Sequence, residues 1–128
     1  LFVLVAVKPC ALIEYWQVLS FVYFEQFLNP DFAKQEVEMF QNGTHFHSIY
    51  PALDVQADDL KINRSRFSAF TPGSSNALDL LKQRGIDTVI ISGTLTDGGC
   101  EATARDAQQL GFRVRLLEDA CAALTDAE

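Results

Sequence analysis

Gly85-Ile86-Asp87-Thr88-Val89-Ile90-Ile91-Ser92-Gly93-Thr94 is the stretch that decides the fold. A glycine closes whatever precedes it. The run from Thr88 to Ile91 is then β-branched throughout, with no polar alternation. Apolar on both faces and strand-length, it has the pattern of a strand buried inside a parallel sheet. Just upstream, Ala77, Leu78, Leu80 and Leu81 recur on a helical period, so 76–84 is predicted as a helix. Gly85 stands where a C′ glycine belongs, and Thr71-Pro72-Gly73-Ser74-Ser75 supplies a loop ending in N-cap residues. A short strand is expected before that loop, from Asp59 to Asn63. Downstream, 93–99 reads as a loop and 100–110 as a helix that packs through Ala102, Ala104, Ala107 and Leu110, closed by Gly111. Phe112 to Leu117 reads as the next strand, and Thr125-Asp126-Ala127-Glu128 has the capping-box pattern of another helix start. Strand and helix alternating through short loops mean a parallel sheet with right-handed crossovers. Ligands of such sheets bind beyond the carboxyl ends of the strands. The loops to watch are 64–75, 93–100 and 118–125.

The chain has 128 residues, 48% hydrophobic and 21% charged, which fits a single domain with a real core and excludes wholesale disorder. Ten basic residues against seventeen acidic ones give a net charge of −7. Such a surface repels phosphate backbones, so no nucleic-acid partner is expected; the one basic cluster, Lys61, Arg64 and Arg66, sits behind Asp58 and Asp59. Cys10, Cys100 and Cys121 are too few and too scattered for a disulfide framework and lack metal-finger spacing, which points to a reducing, cytoplasmic compartment. His45-x-His47 has no third ligand nearby, so no metal and no cofactor are expected.

The first 40 residues are of another kind. Only Lys8, Glu14 and Glu25 are charged among the first 25, and the chain does not begin with Met, so it reads as a fragment or a processed product. Lys8-Pro9 and Glu14 interrupt the apolar run that a membrane span needs, so a membrane anchor is not expected. The expectation is a strand from Leu1 to Val7, a largely buried helix from Leu12 to Phe27, a turn at Asn29-Pro30-Asp31 and a short helix from Ala33 to Phe40.

Gly93-Thr94-Leu95-Thr96-Asp97-Gly98-Gly99-Cys100 lies between the decisive strand and a helix. A helix N-terminus presents unpaired N–H groups and a positive dipole end, which lowers the pKa of a thiol and can hold an oxyanion. No nucleotide-binding glycine pattern occurs in it.

From about Asn42 onward the sequence resembles the isochorismatase-like cysteine hydrolases. The resemblance is carried by Gly43-Thr44 with Ile49-Tyr50-Pro51-Ala52-Leu53, by Ser65-Arg66-Phe67-Ser68-Ala69-Phe70 with Pro72-Gly73-Ser74-Ser75, and by Arg84 to Val89. It continues through Ser92 to Thr96, Ala102 to Ala107, Gly111 to Val114 and Glu118 to Ala122; residues 1–40 show no match. The resemblance implies a single domain of α/β class, a Rossmann-like three-layer αβα fold with a central parallel sheet, incomplete at both ends. It also implies a homo-oligomer and hydrolysis of a small amide or vinyl ether through a Cys nucleophile, an Asp base and a Lys.

Carried over residue by residue, the resemblance puts Gly99 in the nucleophile's slot and Cys100 one place late, about 100° round the helix. Arg64 stands at the lysine position; it keeps the charge but does not release a proton. The apolar run Leu1 to Val7 is followed by Lys8-Pro9, so no carboxylate is expected in the acid role. The resemblance further implies an oxyanion hole from the N–H groups of Leu95 and Gly99 and a cis peptide between Thr94 and Leu95. Phe67 and Phe70 line the implied pocket, with core packing as the alternative for Phe70. Asp97 either meets Arg64 or caps the helix. The expectation is therefore an impaired hydrolase, with Cys100 as a displaced nucleophile if one acts, or else a non-catalytic member that binds a small molecule or oligomerises.

Overall fold

The computed structural model describes residues 2–6, 11–16, 26–41 and 43–123. In chain order the elements are β1 (Phe2–Ala6), β2 (Ala11–Trp16), α1 (Pro30–Met39), β3 (Leu60–Arg64), α2 (Ala77–Gln83), β4 (Thr88–Thr94), α3 (Glu101–Gln109) and β5 (Arg113–Ala122). The strands form one sheet in the order β3-β2-β1-β4-β5. The decisive stretch is β4, inside the sheet, with Val89 and Ile91 buried and Ile90 half-buried.

Two expectations for the N-terminal region are corrected. The helix expected from Leu12 to Phe27 is, over Ala11–Trp16, a strand. A short apolar run does not distinguish strand from buried helix by periodicity. Here Ile13, Tyr15 and Trp16 favour the pleat, and ladders on both sides, to β1 and to β3, satisfy the backbone. The rest of that expected helix, 17–25, lies outside the described residues, as does the helix start at 125–128. The sheet is also not wholly parallel. β2 is parallel to β3 and β4 to β5, while β1 runs antiparallel to both β2 and β4. Only four residues separate β1 from β2. A parallel pair needs a crossover of a dozen or more, so neighbours joined this closely pair antiparallel.

The α/β class stands, with four strands sharing one direction. The β3-α2-β4 and β4-α3-β5 connections advance across the sheet the same way, so right-handed crossovers put α2 and α3 on one face. The core lies there. Ile62, Leu81, Val89, Ile91, Ala107 and Phe112 are buried together, and Phe70 stacks on Phe112 with ring centroids 5.6 Å apart. Gly85, with φ +67°, lets the chain leave α2 in a left-handed conformation that an L side chain resists. Helix α1 starts as its sequence dictates: Pro30 occupies the first turn and the Asn29 side chain accepts from the Asp31 N–H at 2.9 Å. No residue of α1 is buried. No helix among the described residues is long and apolar enough to cross a membrane.

Pairing between β4 and β5 shifts register after Ile91. Ile91 is opposite Leu116, but Gly93 is opposite Cys121, so β5 carries extra residues, Glu118 and Asp119 among them, at the carboxyl edge of the sheet.

Candidate functional site at the carboxyl edge of the sheet

The strand ends bring three segments to one edge: Arg64 and the loop after β3, the turn after β4, and the irregular part of β5. The β3 alternation is strict. Lys61 and Asn63 are exposed, whereas Ile62 and Arg64 face the helix-covered side. Arg64 is 0% exposed. Its Nη1 donates to the Arg66 carbonyl at 2.8 Å and also to the Phe67 carbonyl, so the guanidinium folds its own downstream loop around itself.

That loop is held by small hydroxyl residues. The Ser65 N–H donates to the Ser74 carbonyl (3.3 Å) and the Arg66 N–H to the Ser74 hydroxyl (3.1 Å). The Ser75 hydroxyl donates to the Ala69 carbonyl at 2.8 Å, and the Ser68 hydroxyl accepts from the Phe70 N–H at 3.1 Å. The loop is tied to the far helix, where the Ala69 N–H donates to Thr103 Oγ1 at 3.3 Å with both residues buried. In the sequence the cue for Thr103 is a hydroxyl one place from Ala102 and Ala104 in α3.

After β4 the chain passes through a cis peptide between Thr94 and Leu95 and enters a wide turn over Thr96–Cys100. The Leu95 carbonyl accepts from the N–H groups of Gly98 (3.3 Å) and Cys100 (3.1 Å), the latter an i to i+5 bond of π type. Gly99 is buried and Leu95 half-buried. Cys100 is 1% exposed and belongs to the apolar core cluster, between β4 and α3. The wide turn thus directs the thiol into the core.

The remaining expected site residues separate. Phe67 is half-buried in the loop beside Arg64. Phe70 is spent on the core through its stack on Phe112. Asp97 is exposed in the turn, whereas Arg64 is buried. Arg105 of the matching run donates from Nε to Glu101 of its own helix at 2.8 Å. His47 is buried and His45 exposed, and no group of three metal-ligating side chains gathers among the described residues. Among the described residues, two carboxyl groups depart from their ordinary titration. Asp87, just before β4, is held below the usual aspartate range by the Thr88 hydroxyl and the Arg113 guanidinium, while burial pushes Glu36 of α1 up.

A mostly parallel sheet with crossover helices and a glycine-rich wide turn after β4 defines a class, the α/β fold with its candidate site at the carboxyl edge. The isochorismatase domain family model matches residues 10–128, and the chain belongs to that family. The match begins at β2, not β1. The uncharacterised isochorismatase family protein YecD of Escherichia coli O157:H7 is 42% identical over 72 residues, 56% of this chain and 37% of that protein. A nicotinamidase of Acinetobacter baylyi is 37% identical over 92 residues, 64% of this chain and 43% of that enzyme. Among solved structures, an isochorismatase family protein from Desulfovibrio vulgaris superposes with a TM-score of 0.71 at 25% identity, over 91% of this chain and 61% of that one. The chain spans less than half the length of these curated relatives.

Proposed function

We propose that this domain keeps the small-molecule site of its family but does not carry out thiol-dependent amide hydrolysis. The observation that carries the reading is the pairing of Gly99 in the turn with a Cys100 that is 1% exposed in the core. Covalent hydrolysis requires a sulfur that reaches a substrate carbonyl, with a group beside it to move the proton. Arg64 adds to the case. It supplies charge at the edge but no exchangeable proton at physiological pH.

The ligand class that this reading favours is a small planar molecule bearing a carbonyl or carboxylate, held by backbone groups of the Leu95–Gly99 turn, with Phe67 of the loop beside Arg64 as a candidate wall.

The same glycine favours one catalytic alternative. Hydrolysis of a vinyl ether proceeds by protonation of the alkene carbon and addition of water to the resulting oxocarbenium ion, so it needs no sulfur nucleophile. Incubation with nicotinamide, followed for released ammonia, and with isochorismate, followed for released pyruvate, tests both readings. Ammonia at background is the expected result, and pyruvate release selects the vinyl-ether branch. Ammonia release that iodoacetamide abolishes overturns the proposal.

A further inference from the structure

Among the described residues β5 ends the sheet, in the order β3-β2-β1-β4-β5. It is also the longest described strand, ten residues over Arg113–Ala122 without a proline. A bare edge of that length is a template on which another strand can pair. The Arg113 N–H donates to the Asp87 carbonyl at 2.8 Å, so the main-chain groups of Arg113 face β4. Main-chain groups alternate in direction along a strand, which turns those of Val114 and Leu116 to the open side. Farther along, Ser92 alone of β4 stands against residues 117–120 of β5, so the sheet takes up only part of that main chain.

The side chains make this edge complementary to itself. Arg113 and Arg115 precede Leu116 and Leu117, Glu118 and Asp119 follow them, and all six are exposed, the leucines by 43% and 39%. Charges on an edge strand ordinarily keep copies apart, because like meets like. Here their order reverses that effect in one direction only. A second copy laid parallel in register sets arginine on arginine and acid on acid. Laid antiparallel about a two-fold axis at Leu116, it sets Arg113 opposite Asp119 of the partner subunit; about an axis at Leu117, Arg115 takes that place. Either way the leucines meet at the centre and opposite charges flank them. The helix-covered face adds apolar surface. Val114 and Leu116, opposite the buried Val89 and Ile91, share that face. They line a recess of about 420 Å³ together with Ala104, Gln108 and Phe112.

We propose that β5 is a dimer edge: two copies of this chain pair their β5 strands antiparallel and join their five-stranded sheets into one. The family resemblance implies a homo-oligomer without naming a surface, and β5 supplies one. The inference goes beyond the proposed function and stands whether or not the site turns over a substrate. Its consequence for the site is local, since the pairing holds residues 117–120 at the carboxyl edge of the sheet.

Sedimentation equilibrium of the purified chain without ligand tests this, with folding followed by circular dichroism. The unmodified chain is expected to be a dimer. One variant combines Arg113→Glu with Arg115→Glu, and another combines Glu118→Lys with Asp119→Lys. Each has an edge of a single sign, and each is expected to raise the dissociation constant at least about tenfold. Mixed in equal amounts, the two are expected to pair with each other about as tightly as the unmodified chain does with itself, because opposite charges again meet. Should either fail to fold, Arg115→Glu and Asp119→Lys alone give the same comparison more mildly. Amide exchange supplies a local readout. The Val114 and Leu116 amides are expected to exchange at least about tenfold more slowly in the unmodified dimer than in the variant carrying Glu118→Lys and Asp119→Lys. The Arg113 amide, bonded within the sheet, is expected to be protected in both. A monomeric unmodified chain, a dimer that survives both reversals, or a mixture of the folded variants that does not pair overturns the proposal.

Discussion

The backbone N–H of Ala69 donates to the hydroxyl of Thr103, 34 residues later in the chain, at 3.3 Å between two buried partners. The bond carries the loop after β3 onto the helix after the candidate turn. Thr103→Val keeps the volume and leaves a buried N–H without its acceptor, at a cost of about 1–3 kcal/mol. Urea unfolding is expected to show that loss, with Thr103→Ser retaining most of the stability.

Phe70 and Phe112 stack with centroids 5.6 Å apart and both are buried. Phe112→Ala removes one ring and leaves a cavity under the other, so a loss of about 3–5 kcal/mol is expected. Phe70→Leu should cost about 1.5 kcal/mol or less, because most of the volume is kept. If Phe70 belongs to a ligand pocket more than to the core, its truncation will weaken ligand binding while barely moving the melting temperature.

Cys100 is buried and Cys121 half-buried. Brief alkylation of the native protein, with peptides mapped by mass spectrometry, is expected to label Cys121 before Cys100, since access and thiolate character both govern the rate. Rapid, pH-independent labelling of Cys100 near neutrality would mean an activated thiol and would reinstate a sulfur mechanism.

Asp87 has its carboxyl pKa lowered, chiefly by the Thr88 hydroxyl and then by Arg113, whose Nη2 lies 2.6 Å from Oδ2. A depressed carboxyl pKa means that the unfolded chain binds the proton more readily. Its contribution is therefore complete above the ordinary aspartate pKa of about 3.9 and is lost as pH falls through the lower folded value. NMR titration is expected to find Asp87 below the ordinary range and to find that value move up in Arg113→Ala. Because the pair is exposed, salt should weaken the effect.

Much of the chain from 60 onward was legible in its sequence. The β-branched run at 88–91, the helical period at 77–81 and glycines at 85 and 111 report local preferences, and the structure sets β4, α2 and the ends of α2 and α3 within a residue or two of the expected places. Gly99 and Cys100 were legible as identities in the chain, and the nucleophile's slot at Gly99 is what the resemblance implies. Tertiary structure decided the rest. An apolar hexapeptide at 11–16 has no fixed local preference, and only ladders to β1 and β3 made it a strand. The direction of β1 followed from how few residues join it to β2. The burial of Arg64 and that of Cys100 arise from strand pairing and packing across the sheet. Those are long-range relations. Sequence periodicity encodes which residues seek burial, and not which distant partner buries them.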